Sequence, residues 1–98
     1  MSEIVMVEFP VGKALTGECV DAVRELTASL VAQQPKFYGA TIMVDHTSGH
    51  VVNLMRWETA DDFIRFRDSN QDTIAPSIGR FNPSPRIFEV QAEINASG

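Results

Sequence analysis

The sequence predicts an α+β domain of ferredoxin-like type, with the order β-α-β-β-α-β and a four-stranded antiparallel sheet. Four runs of extended, alternating apolar residues are separated by turn signals. Two stretches with apolar residues at helical spacing follow the first and the third of these runs. The short polar segment Thr47-Ser48-Gly49 joins the second run to the third and predicts an antiparallel hairpin. In a ferredoxin-like arrangement both helices cover one face of the sheet and leave the other face uncovered.

The chain length favours a dimer. The 98 residues make one domain over 1–98, and a chain this short buries only about two thirds of the surface that its unfolded form exposes. A partly apolar sheet face is rarely left in water. We therefore expect a homodimer in which two sheet faces pack against each other.

The first strand runs from Ile4 to Phe9, because apolar and β-branched residues dominate this segment. Pro10 and Gly12 end it. A helix then begins with Thr16 as its N-cap and stops at the residue before Pro35. One side of this helix faces the core and carries the residues that recur at helical spacing: Val20, Val23, Leu26, Thr27, Leu30 and Val31.

The second strand is predicted over Ala40 to His46 and the third over Val51 to Trp57. Successive side chains of a strand point to opposite faces. Val51, Asn53, Met55 and Trp57 therefore share one face, and one polar amide lies in an otherwise apolar row. The opposite face carries Val52, Leu54 and Arg56.

The second helix follows the third strand directly. Thr59 is its predicted N-cap, Asp61 and Asp62 place negative charge in the first turn, and the helix reaches about Ser69. Phe63 and Phe66 lie three residues apart on one side of it.

The last part of the chain predicts a helical turn, a loop and a strand. Thr73 to Phe81 can form one or two helical turns, with Pro76 tolerable only near their start. The segment 82–85 contains two prolines and predicts a loop. The fourth strand then runs from Arg86 to Ile94, with one apolar and one largely acidic face.

Charge and composition exclude several classes of function. The net charge of -5 and the isoelectric point near 4.8 argue against nucleic acid, whose phosphates require a basic surface. No long apolar span or signal peptide is evident, so we expect a cytoplasmic protein that does not bind membranes. The single cysteine, Cys19, has no disulfide or zinc partner and lies near an apolar helical stripe, which indicates a small buried residue.

A pocket is predicted where the inward amide and the indole of the third strand meet the phenylalanine-lined second helix. Met55 can serve as core filler or line an aromatic-ligand cavity, and Tyr38 can reach the pocket or stay at the surface. His46 and His50 flank the hairpin turn, but two ligands without a third indicate solvated polar residues, and we expect no metal site.

The segment Val51 to Thr59 resembles the antibiotic biosynthesis monooxygenase family of the dimeric α+β barrel superfamily. The pattern is Val51-Val52-Asn53 followed, after three residues, by Trp57-Glu58-Thr59. The resemblance implies a cofactor-independent monooxygenase that oxidises a small aromatic or quinol-like substrate, of the anthrone or phenol type, with dioxygen. It also implies that Asn53 and Trp57 are the catalytic residues and that they donate hydrogen bonds to the substrate oxygens. Residues four apart on a strand are about 13 Å apart and can bracket a flat polycycle.

The chain departs from the family pattern at two aromatic positions. Leu54 and Phe63 stand where the anthrone oxygenases have tyrosines, so phenolic donors are missing. Arg80 is the candidate for the pocket arginine of those enzymes. The haem-degrading branch uses an asparagine in the first strand and a histidine in the second helix, and neither is present. The predicted substrate-binding residues are Phe63, Phe66, Met55, Tyr38 and Arg80.

A second hypothesis is a non-catalytic relative of the same superfamily. Such a protein would hold a small molecule in the same pocket without oxygen chemistry. Uptake of dioxygen by the metal-free protein distinguishes the two.

Overall fold

The computed structural model describes residues 2–97, and within them it has four strands and three α-helices. The sheet has the order β2-β3-β1-β4 and all neighbouring strands are antiparallel, which confirms the ferredoxin-like α+β prediction. In chain order the elements are β1 (Glu3–Phe9), α1 (Thr16–Ser29), β2 (Phe37–Val44), β3 (Val51–Trp57), α2 (Ala60–Ser69), α3 (Gln71–Ile78) and β4 (Ser84–Glu89). Short 3-10 turns cover Lys13–Leu15, Val31–Gln33 and Gly79–Phe81.

In the two central strands, β1 and β3, successive side chains alternate between the two faces of the sheet, as the sequence predicts. Val7 pairs with Asn53, and Val5 pairs with Met55, so these side chains point to the same face of the sheet. All four are buried under the helices, whereas Leu54 on the opposite face is only half-buried. The core therefore lies between the inner face of the sheet and the helical layer. Its fully buried side chains include Trp57, Phe9, Val5, Val23, Val51 and Cys19.

Helix α1 begins differently from the prediction. Leu15 occupies the cap position, and Thr16 is the first helical residue. The Thr16 hydroxyl donates to the Gly49 carbonyl at 2.6 Å, which ties the start of α1 to the β2–β3 hairpin. The prediction of Thr16 as N-cap is wrong because its side chain is engaged by the hairpin rather than by the first turn of its own helix.

Strand β2 begins three residues earlier than predicted and ends two residues earlier. The pairing register with β3 shifts between Phe37 and Gly39, so a bulge disturbs the alternation that marks a strand. Gly39 has φ +155, and a Cβ there would lie 2.7 Å from Nη2 of Arg56. Only glycine fits this position without displacing Arg56.

Helix α2 follows the prediction closely. Its N-cap is Thr59, whose hydroxyl oxygen accepts from the Asp62 backbone N–H at 3.2 Å and donates to the Asp62 carboxylate at 2.8 Å. The hydrogen bond from Thr59 is the main reason that the pKa of Asp62 is lowered. Helix α3 begins earlier than predicted, and Pro76 is its sixth residue rather than one near the start.

Strand β4 is shifted toward the N-terminus relative to the prediction. Ser84 and Pro85, expected in a loop, pair with Glu8 and Val7 of β1, since an edge strand tolerates proline. The strand ends at Glu89 because its partner there is Glu3, where β1 begins. The predicted continuation to Ile94 is wrong, and Ile94 is exposed.

The outer face of the sheet carries apolar side chains that none of the described helices covers. They come from all four strands and are half-buried or exposed: Ile4, Met6, Met43, Val52, Leu54 and Phe88. None of the helices within residues 2–97 is long and apolar enough to cross a membrane.

Candidate functional site

A cavity of about 280 Å³ lies between the inner face of the sheet and the three helices. This volume is just below the roughly 300–1,000 Å³ that is usual for ligand pockets, so the cavity suits a small ligand. Most of its lining is apolar and aromatic, and β1, β3 and all three helices contribute to it. The apolar lining includes Val7, Phe9, Val23, Leu26, Met55, Phe63, Phe66, Ile74 and Ile78.

Four polar side chains interrupt this lining, and each comes from a different element. They are Thr27 of α1, Asn53 of β3, Arg67 of α2 and Gln71 of α3. A few polar groups in an apolar cavity fix the orientation of a ligand.

Asn53 is the central polar group of the cavity. Its neighbours across the sheet are Val7 of β1 and Ile42 of β2, so it lies in the middle of the sheet, and it is 5% exposed. Its Nδ2 donates to the Thr27 hydroxyl at 3.2 Å, but its Oδ1 is buried and has no hydrogen-bond partner among residues 2–97. A buried acceptor without a donor costs about 1–3 kcal/mol. A ligand that donates a hydrogen bond at this point would remove that cost.

Trp57 does not line this cavity, which corrects the expectation that the indole and the Asn53 amide face it together. The ring is 1% exposed and packs against three phenylalanines, with centroid distances of 5.4 Å to Phe37, 6.0 Å to Phe63 and 5.5 Å to Phe66. Both residues point to the inner face, but Phe63 and Phe66 contact the indole and also line the cavity. These two rings therefore separate the Trp57 indole from the cavity.

The indole N–H of Trp57 is buried and has no hydrogen-bond partner in the part of the chain that the structure describes. Trp57 instead borders a second, more polar depression of about 240 Å³, which Lys36, Asp62 and Arg65 also line. The two residues named from the family resemblance thus belong to different spaces in this chain.

Tyr38 and Arg80 also lie away from the cavity. The Tyr38 hydroxyl donates to the Glu58 carboxylate at 2.8 Å, and this hydrogen bond raises the pKa of Tyr38. Lys36 joins the same carboxylate at 3.2 Å. Arg80 stacks on the ring of Phe81, with 4.3 Å from its guanidinium carbon to the ring centroid. Both side chains are exposed and held by surface partners, whereas Met55, Phe63 and Phe66 line the cavity.

Three polar residues of the cavity wall, Thr27, Arg67 and Gln71, are not among the predicted site residues. Thr27 lies on the predicted core-facing side of α1, directly after Leu26, and a polar residue among apolar ones there was a usable signal. Arg67 follows Phe63 by four residues, so it shares a helix face with a predicted pocket residue. Gln71 lies between the predicted end of the second helix, at about Ser69, and the helical turns predicted from Thr73, and nothing in its local sequence indicates the cavity.

Within residues 2–97 no three His, Cys, Asp or Glu side chains come together as a metal-binding group. The histidines that flank the hairpin take different positions. His50 faces β1, where its Nδ1 lies 3.0 Å from the Glu8 carboxylate, and His46 is exposed.

The fold is that of antibiotic biosynthesis monooxygenase structures, as the resemblance at Val51 to Thr59 implies. One similar structure is a monooxygenase from the gene ActVA-Orf6 of Streptomyces coelicolor, in complex with the ligand nanaomycin D. It is 19% identical with a TM-score of 0.82, covering 98% of this chain and 93% of that chain. A second is SnoaB, a cofactor-independent oxygenase from Streptomyces nogalater, also 19% identical, with a TM-score of 0.76 over 98% of this chain and 100% of that chain.

A third similar structure carries no named activity. It is a conserved protein from Methanosarcina mazei Go1, 11% identical with a TM-score of 0.73, covering 90% of this chain and 91% of that chain. No protein-family model and no curated protein matches the chain. At these identities the likeness establishes the fold alone.

Proposed function

We propose that this chain is a cofactor-independent monooxygenase that oxidises a small aromatic substrate of the anthrone or phenol type with dioxygen. The observation that carries the proposal is Asn53, a buried amide in the wall of a mostly apolar cavity, whose Oδ1 has no partner among the described residues. The named oxygenases among the similar structures support the reaction class. A ring hydroxyl fits this site because it can donate to Oδ1 while its ring packs on the apolar walls.

The proposed chemistry draws all its electrons from the substrate. The anion of an anthrone-type substrate transfers one electron to dioxygen, and the radical pair joins at the ring carbon to form a peroxide. Loss of water then leaves a carbonyl. One oxygen atom enters the product and the other leaves in water, so no further reductant is required. The protein binds and orients the ring and keeps bulk water from the intermediates.

Within residues 2–97 the cavity provides no side chain that could remove a proton from the substrate. No carboxylate, imidazole or phenol is among the cavity-lining residues of the described chain, so no side chain there can act as a general base near neutral pH. The substrate must therefore lose its proton to water, and its own acidity limits the rate. We expect turnover to rise with pH until the bound substrate is fully ionised.

The missing base is also the observation that favours the second candidate, a small-molecule binder without oxygen chemistry. Phe63 lies in the cavity wall without a hydroxyl, and the indole N–H of Trp57 lies outside the cavity. A binder would need only the apolar walls and the Asn53–Thr27 pair.

A homodimer is part of the proposal. The uncovered outer face of the sheet carries six apolar side chains on four strands, and packing against a second copy would remove them from water. The cavity lies on the opposite side of the sheet, so each subunit would keep its own substrate site.

Dioxygen uptake separates the two candidate functions. The purified protein, treated with a chelator, is incubated with anthrones and hydroxylated naphthalenes in an oxygen-electrode cell. An oxygenase consumes dioxygen above the uncatalysed rate and forms product with one added oxygen atom. Ligand binding without dioxygen uptake across the panel would contradict the oxygenase proposal and support the binder.

A further inference from the structure

Arg67 is the one ionisable side chain that lines the cavity within residues 2–97. It follows Phe63 by one helical turn of α2, so the two side chains lie on the same face of the helix. Its guanidinium carbon is 5.8 Å from the centroid of the Phe63 ring, which itself forms part of the cavity wall. The positive charge therefore stands at the boundary between the apolar interior and solvent.

The protein neutralises this charge only weakly. The Nε of Arg67 donates to Asp68 at 3.2 Å, and Asp68 is its one carboxylate partner in the described part of the chain. The Asp68 side chain is 63% exposed, and ion pairs in such positions contribute little because water competes for both groups. The terminal nitrogens of Arg67 have no hydrogen-bond partner among residues 2–97, so its forked donors remain available.

The negative charge of the rest of the molecule contrasts with the positive charge of Arg67 at the cavity. The chain carries a net charge of -5, which opposes the approach of anions in general. A single cation beside an apolar cavity reverses this effect locally, since a charge pair interacts more strongly where water is partly excluded. A guanidinium matches the two oxygens of a carboxylate.

We infer that the cavity takes an aromatic acid, with the anionic group paired to Arg67 and a ring hydroxyl at Asn53 and Thr27. The inference rests on the proposed function, because it adds a charged group to the hydroxylated ring proposed there. Arg67 on α2 and the Asn53–Thr27 pair between β3 and α1 would then hold the ligand at two points. Arg67 would set the specificity for an acid over a neutral ring, and Asn53 would set the position of the ring hydroxyl.

Calorimetric titration under nitrogen tests the inference without any oxygen chemistry. The ligands are a hydroxynaphthoate with its carboxylate and hydroxyl on opposite rings, the methyl ester of that acid, and naphthol. The protein is compared with Arg67→Gln and with the matched control Arg65→Gln. Arg65 lies two residues away on the same helix, is 70% exposed, and pairs with Asp62 at 2.7 Å. Circular dichroism verifies that both variants fold.

The expected result is that the protein binds the acid at least about tenfold more tightly than the ester or naphthol, as for one charge-assisted hydrogen-bond pair. Arg67→Gln should lose this preference, and Arg65→Gln should keep it. Equal affinity for acid and ester, no binding of any of the three ligands, or a preference that survives in Arg67→Gln would overturn the inference. Dioxygen uptake without such discrimination would overturn it and leave the oxygenase proposal standing. A preference for the acid without dioxygen uptake would support the inference and contradict the oxygenase proposal.

Discussion

The Asn53 amide on β3 donates from Nδ2 to the Thr27 hydroxyl on α1 across 3.2 Å, and this bond links the sheet to the helical layer at the wall of the cavity. The bond also orients the amide, because it commits the nitrogen to Thr27 and leaves Oδ1 as the atom without a partner. The Thr27 hydroxyl, which accepts this bond, keeps its own proton for a second acceptor. Together the two side chains present an acceptor and a donor, which is what a neutral ring hydroxyl requires.

Substitution of Thr27 by valine should weaken both the fold and ligand binding. Valine has nearly the same shape but cannot accept from Nδ2, so a buried donor loses its partner and the free energy of unfolding should fall by about 1–2 kcal/mol. Affinity for a hydroxylated naphthalene should fall as well, because the amide loses its fixed orientation. Urea unfolding and calorimetric titration measure the two effects. Thr73→Val, at an exposed position on α3 that does not line the cavity, is the control and should change neither. Unchanged affinity in Thr27→Val would show that Thr27 does not position the amide.

Substitution of Trp57 by phenylalanine tests whether the indole contributes to the stability of the core or to catalysis. The indole is enclosed by Phe37, Phe63 and Phe66 and does not line the cavity. The smaller ring should lower the free energy of unfolding by about 1–3 kcal/mol, less than the roughly 3–5 kcal/mol of a truncation to alanine. Turnover per folded molecule should stay within about twofold. Urea unfolding followed by circular dichroism, with dioxygen uptake below the unfolding transition, measures both. A large loss of turnover with little loss of stability would restore the catalytic role that the family resemblance implies.

A charge on the outer face of the sheet should dissociate the proposed dimer. Leu54 lies on β3 between Met6 of β1 and Thr41 of β2, at the centre of the uncovered face. Leu54→Glu would place a carboxylate in an apolar interface and should give a monomer by light scattering. Ala28→Glu, at an exposed position on α1, should leave the dimer intact. A protein that is monomeric before substitution, or a Leu54→Glu variant that remains dimeric, would contradict packing through this face.

The fold is predictable from the sequence because the central strands and α2 carry strong local signals. Alternation along Val51 to Trp57 fixes which side chains point inward, and the Thr59 cap fixes where α2 begins. The wrongly predicted strand ends are those that depend on residues far away in the sequence. The end of β4 depends on where β1 begins, and the start of β2 depends on a bulge beside Arg56. Neither relationship is visible in a local window.

The site was only partly predictable for the same reason. Alternation placed Asn53 on the inner face, and helical spacing placed Phe63 and Phe66 above it. The packing of those two rings against Trp57, which separates the indole from the cavity, depends on side-chain positions that periodicity does not encode. Thr27 and Arg67 reach the cavity from other elements, so only the assembled structure brings them to Asn53.

The most direct test of the central claim compares turnover and stability in Asn53→Ala. If the amide holds the substrate in the cavity, this variant should lose dioxygen uptake by at least about tenfold, while the free energy of unfolding falls by only about 1 kcal/mol for the lost bond to Thr27. Asn70→Ala is the matched control. Its amide donates to the Phe66 carbonyl at 2.8 Å and does not line the cavity, so stability should fall without loss of turnover per folded molecule. Unchanged uptake in Asn53→Ala, or losses of turnover and stability in equal proportion, would contradict the account.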